Sequence, residues 1–285
     1  MEIIVGKTAG FCFGVKRAVE NSEKLLKQSK ETIFCLGEIV HNKEVIDNLK
    51  SKGIKFIDNI YQSYGKTIIR AHGVPKQVYE IANKRGIDIE DYTCPNVLKI
   101  HEIVSKYSNK GYYIFLCGSK EHPENIGTLS YCGENVFVIE NENDTIKAIE
   151  EFQKSEINKC LLMSRTTFNL EKFYIIREII ENELSKNIEV VVKNTICNAT
   201  QERQEEVKSI AKKVEYMIII GGKNSSNTKK LFEIAKSNCE NSIWIENKKE
   251  LKVEDLKKYN KIGIMAGAST PSNSIDEVVK CLQDI

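Results

Sequence analysis

Three of the nine cysteines share one local pattern. Glu2-Ile3-Ile4-Val5 leads to Cys12, Ile87-Asp88-Ile89 to Cys94, and Val191-Val192 to Cys197, so a β-rich run precedes each. Helical signals follow. After Cys12 the residues Val15, Ala18, Val19, Ser22, Leu25 and Leu26 recur at helical spacing, and Pro95 directly after Cys94 suits a first helical turn. A cysteine at a helix start is biased toward thiolate, the ligating form. Three thiolates far apart in sequence suit two metal centres. Zinc with three protein ligands and an open fourth position would activate water for hydrolysis. A four-iron four-sulfur cluster held by three cysteines would leave one iron without a cysteine ligand. The chain has no CxxC pair of the structural-zinc kind and no fourth cysteine at a matching position, which favours the cluster.

A second set of residues has the chemistry of an anion cradle. His41-Asn42, His72-Gly73, His122-Pro123-Glu124, Thr166-Thr167, Ser225-Ser226-Asn227-Thr228 and Ser269-Thr270-Pro271 all fall where strand-like runs end and helical ones begin. Imidazoles, hydroxyls, amides and the open N–H groups of helix starts can hold a phosphate or diphosphate without lysine. Singly, the serines and threonines read as ordinary N-caps; three of the four histidines in the same loops point to a ligand. Glu124 is the one carboxylate among them placed to deliver a proton, provided its pKa is raised. His101, in the helix after Cys94, reads as a surface or packing residue.

The elements that must position these groups form a threefold repeat. A β-run and a glycine follow each cysteine, at Gly37, Gly118 and Gly222, which lie 25, 24 and 25 residues downstream. Four residues past each glycine comes a polar group, His41, His122 or Ser226, that opens another helical stretch. A further strand-like run then ends at Ala71-His72, Met163-Ser164 or Ala266-Gly267. The order predicts three α/β units, 13–94, 95–193 and 194–285, with mostly parallel sheets and the N-terminal segment 1–12 supplying the strand that completes the third. Ligands of such sheets sit outside the carboxyl ends of the strands. A pseudo-threefold arrangement would let the three cysteines converge at one centre.

Composition limits the alternatives. The chain has 285 residues, 41% of them hydrophobic and 29% charged, with 42 basic against 40 acidic side chains. That balance offers no broad field to attract nucleic acid or anionic lipid. No apolar run reaches the roughly 18 residues of a membrane helix, and the start Met1-Glu2-Ile3-Ile4 lacks the basic flank of a signal peptide. A cytoplasmic protein with reduced thiols is expected. Cys35, Cys117, Cys132, Cys160, Cys239 and Cys281 lie on apolar runs or helical faces and read as small hydrophobes. No Walker loop, GxGxxG turn or nucleophile elbow is present.

At these residues the chain resembles the 4-hydroxy-3-methylbut-2-enyl diphosphate reductase (LytB) family. The resemblance is carried by Ala9-Gly10-Phe11-Cys12-Phe13-Gly14-Val15, Glu38-Ile39-Val40-His41-Asn42, Ala71-His72-Gly73-Val74, Thr93-Cys94-Pro95, His122-Pro123-Glu124, Thr195-Ile196-Cys197, Asn224-Ser225-Ser226-Asn227 and Ala266-Gly267-Ala268-Ser269-Thr270-Pro271, in that order. It implies a trefoil of three α/β domains around a four-iron four-sulfur cluster that carries out the last step of the non-mevalonate isoprenoid pathway. Cys12, Cys94 and Cys197 would ligate three irons. His41, His72, His122, Ser225, Ser226, Asn227 and Ser269 would hold the diphosphate, Glu124 would give the proton, and Thr166 would orient the substrate hydroxyl. A transient electron donor such as ferredoxin or flavodoxin is implied as partner. Asn125, Arg165 and Asn198 depart from the valine, glutamine and tyrosine of many relatives, and Arg165 either adds a charge to the cavity or points outward. A zinc hydrolase and an iron–sulfur sensor or electron carrier are the competing classes. The first would hold zinc and no sulfide; the second has no use for a diphosphate cradle.

Overall fold

The computed structural model describes residues 1–284. The chain opens with β1 (Glu2–Val5) and α1 (Phe13–Gln28), then runs β2 (Ile33–Leu36), α2 (Lys43–Ser51), β3 (Lys55–Ile57), β4 (Lys66–Ile69), α3 (Lys76–Arg85) and β5 (Ile89–Asp91). A second passage gives α4 (Pro95–Asn109), β6 (Tyr113–Cys117), α5 (Pro123–Leu129), β7 (Val136–Ile139), α6 (Glu142–Lys154), β8 (Lys159–Ser164), α7 (Leu170–Glu183) and β9 (Glu189–Lys193). The third gives α8 (Asn198–Ala211), β10 (Tyr216–Ile220), α9 (Ser226–Asn238), β11 (Ser242–Ile245), β12 (Lys261–Ala266) and α10 (Ser272–Gln283).

The strands form three four-stranded sheets, β3-β2-β4-β5, β7-β6-β8-β9 and β11-β10-β12-β1. Each repeats the same order, and β1 occupies in the third the place that β5 and β9 occupy in the others. It pairs with β12 in parallel, from Glu2 opposite Lys261 to Val5 opposite Ile264. Every strand pair among the described residues is parallel. Burial explains this: Tyr113–Cys117 is buried at all five positions, as in a strand covered on both faces. Phe115, Phe152 and Phe173 centre the core of the β6–β9 sheet, with the Phe115 and Phe152 rings edge to face at 5.7 Å.

By its contacts the chain divides into two compact units, one of Met1–Gln28, Glu38–Ile54 and Asn198–Ile285, the other of Ser29–Gly37 and Lys55–Cys197. The first contains the β11-β10-β12-β1 sheet together with α1 and α2; the second contains the other two sheets.

The repeat is visible in single hydrogen bonds. The N–H of Cys12 donates to Ala268 O, that of Cys94 to Ala71 O and that of Cys197 to Thr166 O, at 3.1, 3.0 and 3.1 Å. Each acceptor lies two residues beyond a strand end, at β12, β4 or β8, and each cysteine directly precedes a helix. The glycines after β2, β6 and β10 are likewise equivalent: Gly37 donates to Ile57 O, Gly118 to Ile139 O and Gly221 to Ile245 O. The third member is therefore Gly221, not Gly222. It directly follows β10 and takes φ +151°, as Gly37 takes +71° and Gly118 +135°. With that register the polar group four residues on is Ser225, not Ser226, and Ser225 is the N-cap of α9.

Candidate active site

In the second unit the buried acid is built from two strand ends. His122 caps α5, its Nδ1 accepting the Glu124 backbone N–H at 3.2 Å, and Pro123 fills the first helical position. Glu124, 1% exposed, is thereby carried inward to the loop after β8. There Thr166 donates twice to it, N–H to Oε1 at 2.5 Å and Oγ1 to Oε2 at 2.8 Å. Burial drives the Glu124 carboxyl above its ordinary range; the Thr166 N–H, the Arg165 guanidinium and the Thr166 hydroxyl oppose this without cancelling it. The Thr166 carbonyl accepts the Cys197 N–H, so one residue links the acid to a candidate ligand.

The loop before the other cysteine of this unit is held by Asp91, whose Oδ1 accepts Thr93 N–H and Oγ1 at 2.9 and 2.5 Å while Oδ2 accepts Tyr79 Oη at 2.8 Å. His72, three residues beyond β4, meets His122 edge to face with ring centroids 5.9 Å apart. His72, Cys94, His122, Glu124, Thr166 and Cys197 all lie in this unit. Arg165 points inward: it is 9% exposed, and Nη1 donates to Thr167 Oγ1. His101 is buried, not exposed, stacked on Tyr131 at 4.3 Å, and burial pushes it down to about 4 against the opposing field of Asp91.

The first unit gathers a different set. Cys12, His41, Ser225, Ser226, Asn227 and Ser269 belong to it. Ser269 Oγ donates to His41 O at 3.1 Å, joining the loop after β12 to the turn before α2. The His41 ring meets Glu38 through Nδ1 at 3.0 Å. Ser225 Oγ accepts Thr228 N–H at 3.2 Å and keeps its own proton to donate. Asn227 is the most telling residue. It is 5% exposed, and neither Oδ1 nor Nδ2 has a hydrogen-bond partner. A buried amide with both ends unmet has one donor and one acceptor to offer a ligand.

Sequence reasoning did not find the supports of the Cys12 loop. Arg203 on α8 is 4% exposed and donates to Gly10 O at 2.8 Å and Ala199 O at 2.7 Å. One turn on, Glu206 accepts Lys7 N–H, Thr8 N–H and Thr8 Oγ1 at 2.7, 2.9 and 2.5 Å.

The donor set suits a thiolate-bound cluster. Cys12, Cys94 and Cys197 are in no disulfide and lie half-exposed at helix starts, whereas Cys35, Cys117, Cys160 and Cys239 are buried. Burial pushes Cys35 and Cys160 up to about 12 and Cys117 higher still, which holds them as thiols. Cys132 and Cys281 are half-buried, more open than their apolar surroundings implied. Among the described residues no three His, Cys, Asp or Glu side chains form a ready metal cage, so the support for a cluster is the repeated setting of each cysteine.

Fold and loops together define an α/β protein of three parallel sheets whose polar and thiol groups sit at the carboxyl ends of strands. The profile of the LytB protein family matches residues 3–283, and the chain belongs to that family. The 4-hydroxy-3-methylbut-2-enyl diphosphate reductase of Caldanaerobacter subterraneus subsp. tengcongensis is 42% identical over 291 aligned positions, covering 100% of this chain and 98% of that protein. The enzyme of the same name from Clostridioides difficile is 41% identical, with 100% of both covered. Among solved structures, an (E)-4-hydroxy-3-methyl-but-2-enyl diphosphate reductase described as the terminal enzyme of the non-mevalonate pathway is 40% identical, with TM-score 0.72 and 100% of both chains covered. The E-1-hydroxy-2-methyl-but-2-enyl-4-diphosphate reductase from Plasmodium falciparum has TM-score 0.89 at 31% identity, covering 99% of this chain and 88% of that one. No helix among the described residues is long and apolar enough to cross a membrane.

Proposed function

We propose that the protein is a 4-hydroxy-3-methylbut-2-enyl diphosphate reductase. It removes the allylic hydroxyl reductively, consuming two electrons and two protons, and yields water with isopentenyl or dimethylallyl diphosphate. The observation that carries this reading is the buried Glu124 carboxyl joined twice to Thr166, which in turn accepts the N–H of Cys197. Full-length likeness to reductases of that name supports it.

Cys12, Cys94 and Cys197 would hold a four-iron four-sulfur cluster which, when bound, supplies the electrons and an iron free of cysteine as Lewis acid. The remaining work belongs to the chain. Glu124, whose hold on a proton burial strengthens, delivers the proton to the departing hydroxyl. Thr166 fixes that carboxyl in place and orients the hydroxyl beside it. His41, His72, His122, Ser225, Ser226, Asn227 and Ser269 bind the diphosphate, Asn227 through the two amide atoms that have no protein partner. Electrons come from a separate carrier of the ferredoxin or flavodoxin kind. The three α/β units, 13–94, 95–193 and 194–285 with 1–12, supply the two ligand loops at the strand ends of each sheet.

The test is anaerobic purification, iron and sulfide analysis, and turnover with a reduced dye. About four irons and four sulfides per chain with formation of the two C5 diphosphates are expected. Zinc without sulfide after attempted reconstitution, or a loaded cluster without product, overturns the reading.

A further inference from the structure

Trp244 is the single tryptophan of the chain, and it lies on β11 beside the turn that joins β10 to the cap of α9. Its indole N–H donates to Gly221 O at 2.7 Å. The Gly221 N–H is already given to Ile245 O at 2.9 Å, so β11 holds both backbone groups of one glycine. At the equivalent register of the other two sheets stand Phe56 and Val138, whose side chains carry no donor. The indole bond is thus peculiar to the sheet that leads into Ser225-Ser226-Asn227.

The turn it holds is tightly set. A Cβ on Gly221 would stand 2.6 Å from Thr228 Oγ1 and 2.8 Å from Thr270 Oγ1, and one on Gly222 would stand 2.7 Å from His41 O. The Gly221–Gly222 peptide is therefore bonded to the indole and packed against the backbone of His41. Next along, the Lys223 N–H donates to Glu246 Oε1 at 2.7 Å, while its ammonium lies 5.0 Å over the indole and donates to Trp244 O at 2.5 Å. Ser225 N–H closes the turn on Gly222 O at 3.0 Å. Trp244 also meets Phe232 of α9, with ring centroids 6.0 Å apart. One strand thus fixes both the turn and the helix that presents Asn227 with its two unmet amide atoms.

We propose that Trp244 is a positioning residue of the diphosphate site: its indole N–H fixes the Gly221–Ser225 turn, so that Ser225 and Asn227 meet a bound diphosphate without first ordering the loop. Support of this kind raises affinity by lowering the cost of ordering, with no contact to the ligand. The role presupposes the reading of Ser225 and Asn227 as diphosphate ligands. Because the bonded carbonyl belongs to the same turn, a ligand on those side chains is felt at the indole.

The test uses cluster-loaded, unreduced protein and inorganic pyrophosphate, with two readouts. One tryptophan gives one indole N–H resonance, which pyrophosphate is expected to shift along the same saturation curve that calorimetry records. Trp244→Phe keeps a ring beside Phe232 and Lys223 but has no donor, and it is expected to weaken pyrophosphate binding about three- to tenfold, as loss of a neutral hydrogen bond does. An indole resonance unmoved at saturation, or binding by folded Trp244→Phe within about 1.5-fold of wild type, overturns the proposal. The resonance requires no variant, so it decides the matter alone if Trp244→Phe loses its cluster absorption. Wild-type protein that binds no pyrophosphate would sink the diphosphate reading and this role together. Trp244-dependent pyrophosphate binding in a protein that does not reduce the allylic diphosphate would sink the reductase reading and leave this role standing.

Discussion

Thr166 meets both oxygens of the Glu124 carboxyl, its N–H at Oε1 and its hydroxyl at Oε2. Two donors on one carboxylate ordinarily stabilise the charged form. Here burial outweighs them, and the Glu124 pKa stays above its ordinary value. The acid is held by geometry yet kept available as a proton source. Glu124→Gln should preserve cluster absorption and lower turnover by about a hundredfold or more. Product formation at the wild-type rate in a cluster-loaded Glu124→Gln protein would remove the residue from the reaction.

The same group makes a stability prediction. A carboxyl whose folded pKa is raised favours folding fully below its unfolded pKa, and that contribution is lost as pH rises through the folded value. Glu124→Gln has no proton to lose. Denaturant unfolding at a series of pH values should therefore show the variant gaining on wild type from the ordinary carboxylate range upward, then levelling off. A difference independent of pH would mean that Glu124 titrates normally.

Thr166→Val removes the hydroxyl and keeps the backbone donor to Glu124. A single hydrogen bond of this kind is worth about 0.5–1.5 kcal/mol, so a loss of up to roughly tenfold in turnover is expected. Thr166→Ser should recover most of it. Wild-type turnover in Thr166→Val with a loss in Thr166→Ser would show that the methyl group, not the hydroxyl, matters.

Much of this arrangement is legible in the chain itself. Three cysteines with the same flanks imply three equivalent loops because a parallel sheet needs each strand end to turn into a helix, and β1 completing the third sheet follows from the same spacing. Other features are decided only in three dimensions. Gly221 and Gly222 both satisfy the spacing, and the Gly221 N–H bond to Ile245 O together with its positive φ separates them. Arg203 and Glu206 lie in Gln201-Glu202-Arg203-Gln204-Glu205-Glu206, a run so uniformly polar that no periodicity marks which charge turns inward. His101 is hidden likewise, because a helix face covered by Tyr131 cannot be told from an open one by spacing.

The two classes of cysteine should separate by experiment. Cys12→Ser, Cys94→Ser and Cys197→Ser are each expected to lose most of the iron and acid-labile sulfide. Cys117→Ser instead puts a hydroxyl among fully buried apolar side chains, which costs about 1–3 kcal/mol of stability while iron content is kept. Loss of iron from the Cys117 variant at full folding, or retention in any of the first three, would reverse the assignment.

Arg203 and Glu206 hold the loop that ends at Cys12 from one helix face, and the helix itself starts directly after Cys197. Partial burial pushes Glu206 up, but the Thr8 hydroxyl, the Thr8 and Lys7 N–H groups and the Lys7 charge outweigh it, leaving the carboxyl below its ordinary value. Its contribution is then present above the unfolded pKa and is lost as pH falls through the folded one. Arg203→Met keeps the buried stem while releasing the Gly10 carbonyl, so the Cys12 loop should loosen without collapse of the fold. The measurement is the rate of iron release to a chelator, expected to rise several-fold in Arg203→Met and in Glu206→Gln relative to wild type, with the unfolding midpoint of the second lowered at neutral pH and nearing that of wild type in acid. Release at the wild-type rate in both would show that the loop is set by Gly10 and the Cys12–Ala268 hydrogen bond alone.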